Sequence, residues 1–337
     1  MNFKLQFKSI CFIALIVILF TGCSNIKEKI ITISAETNFD ENYVVSIQPI
    51  VTENSESKQD EVVQIDSNGV FTWEKTIEEP LWVQVTFLPT KKDRQLGASF
   101  PMFFDKSGDI QIKLNYSSTD YLSIVSGDID GGNKSLIEYS AFLNKKMRDR
   151  FMRGPKNADT ETMAEEYITY ANQLISDNGV RNKQILEYMK VWSYNNFLEA
   201  VMNDNSYDIS DIPDDLLTTL DSEWLFFYDE FSNLNCYFDR VVDSSGEDIS
   251  KWTRLENKIM IIQESIKTAP LKENLLIQEY YEFINTYRIT DIDSFNVDLI
   301  QFKELTKVLQ NPEAEQMINS NLENLIFTVE EIGRAHV

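Results

Sequence analysis

The stretch SGDIDGGNKS, residues 126–135, divides the chain into two kinds of sequence. Before it, apolar and polar residues alternate at the period of two that puts every second side chain on one face of a strand. After it, apolar residues recur every three to four positions, the period of a helix. Its glycines, aspartates and Asn133 are residue types that end a strand and turn the chain.

Working back from this boundary, strands are expected at 30–35, 43–51, 61–65, 70–77, 81–88, 100–104, 110–115 and 122–125. VFTWEKTI (70–77) and IQIKLNY (110–116) carry the alternation of a half-buried antiparallel strand. DSNG (66–69) and DKSG (105–108) are turn signals, and Pro80, Pro89 and Pro101 are placed at strand ends, where a missing N–H costs least. Short strands at this spacing predict an antiparallel β-sandwich over 30–130.

Working forward, SLIEYSAFLNKKM (135–147) puts Leu136, Tyr139 or Ser140, and Leu143 on one helical face. Further helices are expected at 160–176, 182–203, 251–268, 271–287, 294–309 and 312–331. In the second of these, Ile185, Met189, Trp192, Asn196 or Phe197, and Val201 keep helical spacing. Asp159, Asp293 and Asn311 are candidate N-caps, and Pro270 and Pro312 suit a first helical turn. The chain is thus expected to be α+β in two parts, an N-terminal antiparallel β-sandwich followed by an all-α domain or stalk over 134–330. No repeat of fixed period is evident.

Composition bounds the partners. In 337 residues, 43% hydrophobic content with 12% aromatics is enough for real cores, and Gly and Pro number only 11 and 8. The net charge of −23, with no basic stripe, excludes nucleic acid and disfavours anionic lipid headgroups.

The N-terminus reads MNFKLQFKSICFIALIVILFTGCSN. Lys4 and Lys8 precede an uncharged apolar run from Ile10 to Phe20, too short to span a bilayer but suited to a secretory signal. The run ends in Phe20-Thr21-Gly22-Cys23, which resembles the lipobox of bacterial lipoproteins, with Phe20 where Leu is usual. The resemblance implies a signal peptide over 1–22, lipidation of Cys23 as the mature N-terminus, and a tether over 23–29. The mature protein is then expected to be held at the cell envelope, on a periplasmic or outer-membrane face, through the lipid on Cys23. Of the other two cysteines, Cys11 falls in the signal; Cys236, in NLNCYFDRV, is expected to be a buried small hydrophobe.

Catalytic chemistry is hard to assemble. The segment from Asp204 to Asp248 holds thirteen acidic residues and one basic residue, Arg240. Its DISDIPDD (208–215) lacks the ligand spacing and distal Glu of a calcium loop and reads as a solvated face. The aromatics of SEWLFFYDEF (222–231), with Tyr237 and Phe238, are expected to be core rather than a sugar-stacking platform. Carboxylate pairs such as Glu78/Glu79 and Glu165/Glu166 are too common in so acidic a chain to nominate a glycosidase pair. The only histidine is His336, and no GxSxG, HExxH or P-loop is present. No catalytic, cofactor-binding or metal-ligating set is expected.

The order of parts suggests a family. A lipobox, a sandwich closing on VSGDIDGGNKSLIEY, and helices with the cadence IKTAPLKENLLIQEYYEFI and LQNPEAEQMINSNLENL resemble the envelope lipoproteins of the thioredoxin-like thiol–disulfide oxidoreductase class. In these, sandwich and helices precede a C-terminal thioredoxin domain carrying CxxC. A dithiol needs two cysteines able to share one disulfide, and no CxxC stands here. The resemblance therefore implies the non-catalytic N-terminal part of such a protein, without redox activity as written. EIGRAHV (331–337) resembles a translated sequencing adapter and is expected to be a non-native tail. The alternative expectation is a non-enzymatic lipoprotein that binds a glycan or another envelope protein through its sandwich or aromatic-rich helices.

Overall fold

The computed structural model describes residues 29–50, 60–91, 97–117, 120–128, 130–153, 160–204, 206–228, 231–244, 250–287 and 292–335. Among the described residues eight strands come first: β1 (Lys29–Thr37), β2 (Tyr43–Pro49), β3 (Glu61–Gln64), β4 (Val70–Ile77), β5 (Leu81–Pro89), β6 (Ser99–Phe104), β7 (Gly108–Ser117) and β8 (Asp120–Ser126). The helices follow: α1 (Gly132–Arg153), α2 (Thr160–Asp177), α3 (Lys183–Met202), α4 (Leu216–Leu220), α5 (Phe231–Asp243), α6 (Lys251–Ser265), α7 (Ala269–Thr286), α8 (Ile292–Thr306) and α9 (Pro312–Ala335). The two-part α+β organisation is as expected, with the change at residues 126–132.

The strands form two four-stranded sheets, ordered β4-β1-β7-β8 and β3-β2-β5-β6. The second is wholly antiparallel, whereas β1 and β7 pair in parallel, Ile33 opposite Ile110 and Ala35 opposite Ile112. The first sheet is therefore mixed, a detail that alternation cannot signal because both pairings share the period of two. Inward residues of both sheets, among them Ile31, Ile33, Phe71, Trp73, Val83, Val85, Phe100 and Ile112, fill one core. Pro101 lies inside β6 rather than at its end, which is tolerated because β6 is the last strand of its sheet.

The turn at 126–132 depends on glycine. Gly127 and Gly131 have φ of 82° and 64°, and a Cβ on them would lie 2.0 Å from the Asp109 carbonyl oxygen and 2.1 Å from that of Asn178. The Asp128 carboxylate accepts a hydrogen bond from the Lys134 N–H at 2.7 Å, satisfying an orphan donor of the first turn of α1. α1 then runs along β6 and β8, inserting Ile137 into the sandwich core while Leu136 and Tyr139 face the helical part.

The helical part has its own core rather than the form of a stalk. Phe197, Leu220, Phe238, Ile262, Leu275, Tyr280, Phe302 and Leu322 bring α3 to α9 into one cluster. Among the expected caps, the Asn311 side chain accepts from the Glu313 and Ala314 N–H groups, and Asn182 caps α3 in the same way. Asp293 falls within α8, which begins one residue earlier, and Asp159 lies outside the described residues. The region 204–248 contributes more structure than its acidity suggested: 3-10 turns at Ile209–Asp211 and Glu223–Tyr228, together with α4 and α5. The backbone of α9 stays helical to Ala335, past the boundary expected at 331.

Candidate functional site

Three arrangements of polar and aromatic side chains bear on a site, the first at the seam between sandwich and helices. Trp82 on β5 and Phe103 on β6 are directly opposite in register, on the outer face of their sheet, with ring centroids 4.8 Å apart. Tyr188 of α3 and Trp224 of the 3-10 turn close on Trp82 at 4.5 and 5.1 Å. The rings continue through Trp192, 5.5 Å from Tyr188, to Tyr139 of α1 at 4.9 Å, and on through Phe142 to Tyr170 at 4.3 Å. Trp82 is buried, and its indole N–H finds no acceptor among the described residues. Phe142, Tyr170, Trp192 and Trp224 are only half-buried, so the seam reaches the surface.

The seam is also hydrogen-bonded. The buried Asn133 carboxamide accepts from the Phe103 N–H at 2.7 Å and donates to the Phe103 carbonyl at 2.8 Å. It satisfies the outer edge of β6 as a neighbouring strand would. Asn182 donates to the Asp105 carboxylate at 2.9 Å, and Lys29 donates to the Asp105 carbonyl at 2.7 Å, tying the start of α3 and of β1 to the turn after β6.

The second arrangement lies where α5, α6 and α7 meet. The Lys258 ammonium is 3.0 Å from Asp239 and in ion-pair contact with Glu279; Arg254 holds the same Asp239 oxygen at 2.9 Å and also contacts Asp243. The Lys258 and Glu279 side chains are 1% and 7% exposed. Burial pushes the Glu279 carboxyl up to about 7 against the pull of Lys258, with Asp239 and Glu282 adding to the rise.

The third lies along 190–215. Tyr194 donates to the Asp215 carboxylate at 2.9 Å, and Lys190 reaches it at 3.2 Å. Burial and this bond push the Tyr194 phenol up to about 12, so it stays a neutral donor. Asp208, from the imagined calcium loop, caps the Ile209–Asp211 turn through the Ser210 N–H. These carboxylates are engaged locally, and no metal-holding group of three or more His, Cys, Asp or Glu occurs among the described residues.

Cys23 and His336 lie outside the described residues. Cys236 is exposed on α5, correcting the expectation of burial: Leu234, Asn235, Phe238 and Val242 form the inward face of that helix, and position 236 falls opposite. Of the 222–238 aromatics, Phe238 is buried and Trp224 and Tyr237 are half-buried, so for these the core reading holds with Trp224 at the seam. Glu166 is ion-paired with Lys146, whereas Glu78 and Glu79 sit in the turn before β5. The seam itself was missed by sequence reasoning; the signal was Trp82 in LWVQV, a large apolar residue on the outward face of an alternating strand. No helix of the described residues is long and apolar enough to cross a membrane. The sequence matches no protein-family model and no curated protein.

Proposed function

We propose that the chain is a lipid-anchored cell-envelope protein, the non-catalytic sandwich and helical part of a thioredoxin-like thiol–disulfide oxidoreductase lipoprotein. The observation that carries the anchoring is the lipobox-like Phe20-Thr21-Gly22-Cys23 that follows the uncharged apolar run from Ile10. β1 begins at Lys29, six residues after Cys23. At ~3.3–3.6 Å per extended residue, a lipid on Cys23 keeps the sandwich within about 20 Å of the bilayer. The seam supports a body that transmits position rather than a flexible linker, since it joins sandwich and helices by packed rings and a strand-like amide pair. Among the described residues Cys236 is the one thiol, so they hold no pair of cysteines able to share an internal disulfide.

The test is metabolic labelling with radioactive palmitate in a bacterial host, comparing wild type with Cys23→Ser. Label and membrane fractionation that depend on Cys23 support the reading; an unlabelled wild type overturns it. The redox kinship is tested by the genomic DNA after codon 331, which is expected to read in frame into a CxxC domain.

A second reading, glycan or envelope-protein binding without catalysis, is favoured by the half-buried rings of Phe142, Tyr170, Trp192 and Trp224 in one surface-reaching row. Such rings stack on sugar faces and serve as contact anchors. Glycan-array binding that Trp192→Ala abolishes supports it; a blank array argues against the glycan form.

A further inference from the structure

The polar cluster between α5, α6 and α7 has unequal charge. Three carboxylates, Asp239, Asp243 and Glu279, face two cations, Arg254 and Lys258. A buried charge that is not balanced is costly, and the least expensive remedy is a proton on one carboxylate. The geometry selects which one. Asp239 is held by both cations, at 2.9 and 3.0 Å, and its side chain is 26% exposed; Asp243 pairs with Arg254 and is 54% exposed. Glu279 is the most buried of the three and has only Lys258, which it shares with Asp239. Among the described residues neither the Lys258 ammonium nor the Glu279 Oε1 atom finds a well-directed hydrogen bond, so their contact is a charge pairing.

We propose that Glu279 is a buried proton-binding site that makes the packing of α5, α6 and α7 depend on pH. Taking a proton from solvent converts the Glu279 carboxylate to the acid and brings the five-group cluster from a net charge of −1 to zero. Losing it leaves one uncompensated negative charge in the junction.

The other groups around α7 do not replace this balance. On its own helix Glu282 adds negative charge near Glu279. From α5, Asn235 pairs with Gln278 of α7, a neutral contact. α9 brings Glu315 toward the neighbouring Tyr280, and the 3-10 turn packed on α7 carries Glu223, both acidic. Burial is the chief cause of the raised Glu279 carboxyl and acts beside the charge count, with Lys258 opposing the rise and Asp239 and Glu282 adding to it.

The consequence reaches the seam. The Asp221 carboxylate, just before the 3-10 turn bearing Trp224, accepts from the Lys267 and Thr268 N–H groups at the start of α7 at 2.7 and 2.8 Å. Loosening of α7 therefore acts on the element that holds Trp224 against Trp82.

The sign follows from linkage. A carboxyl raised from 4.5 to about 7 on folding makes the native state bind more protons than the unfolded chain over that window. Stability from the proton is complete below pH 4.5 and is lost as pH rises through about 7. The experiment is urea unfolding of the full chain from pH 4.5 to 8.5 for wild type, Glu279→Gln and Asp239→Asn. Glutamine keeps the shape of the protonated acid. Wild type and E279Q are expected to agree at pH 4.5, with the folding equilibrium of wild type falling behind by on the order of a hundredfold at pH 8.5. D239N, which removes a like charge and leaves Lys258 to Glu279 alone, is expected to move the midpoint of the wild-type decline to lower pH. Parallel pH curves for wild type and E279Q overturn the proposal. If E279Q does not fold, D239N decides: an unmoved midpoint overturns it and a lowered one supports it.

Discussion

Replacing Trp82 by alanine tests whether the sandwich and the helical part stand as one body. Trp82 is 7% exposed and touches Phe103, Tyr188 and Trp224 with ring centroids 4.5–5.1 Å away. Two of these partners come from the helical part and one from its own sheet. An aromatic side chain buries ~150–250 Å², worth about 4–6 kcal/mol at ~25 cal/mol per Å², and Trp→Ala in a core costs ~3–5 kcal/mol once partial collapse is allowed. A loss of about 3–5 kcal/mol is therefore expected. The distribution of the loss is more telling than its size. Urea unfolding followed by hydrogen exchange of peptides from β1–β4 and from α6–α8 is expected to give coincident transitions in wild type. In Trp82→Ala the two are expected to separate, because the two cores no longer share a wall. Trp82→Phe keeps a ring and gives up an indole N–H that has no acceptor among the described residues, so it is expected to cost only about 1–2 kcal/mol. A Trp82→Ala protein that loses less than about 1 kcal/mol, or whose two regions still unfold together, would refute this reasoning.

Three further perturbations probe the same construction. Asn133→Leu leaves the Phe103 N–H and carbonyl on β6 without partners; the loss is expected to be about 2–4 kcal/mol, with fast amide exchange at Phe103 as the check. Gly131→Ala forces a side chain into positive φ and onto the Asn178 carbonyl, so a cost above about 1 kcal/mol is expected in thermal melts, against near-neutrality for Gly108→Ala, where a Cβ meets open space. Hydrogen bonds from Ser206 and Thr160 hold the Asp204 carboxyl down to about 2, so its contribution is complete above pH 3.8 and lost as pH falls through 2. Asp204→Asn is expected to flatten the acid limb of the stability curve in that window, and an unchanged limb rules this role out.

The strand positions were legible because the sandwich buries one face of most strands, which writes a period of two into VFTWEKTI and IQIKLNY. β5 and β6 depart from it: Trp82 and Phe103 are buried on the outer face, and the extra burial records a second partner the strand pattern alone does not name. The parallel pairing of β1 with β7 was invisible, since direction leaves no mark on alternation. Long helices were legible from spacing and caps such as Asn311. α5 was obscured by the acidic residues around it, although its inward face, Leu234, Phe238 and Val242, has helical spacing. Cys236 was misjudged because flanking aromatics suggested burial when only the phase of the helix decides it. The charge cluster was illegible: Asp239, Arg254, Lys258 and Glu279 lie on three helices, and nothing local distinguishes Lys258 from the chain's other lysines.

The most direct measurement of the proposed function is the intact mass of the N-terminal peptide of the protein isolated from the membranes of an expressing bacterium. The account predicts that the peptide begins at Cys23 and carries the added mass of lipid. A peptide that retains residues 1–22, or that begins at an unmodified Cys23, would contradict it.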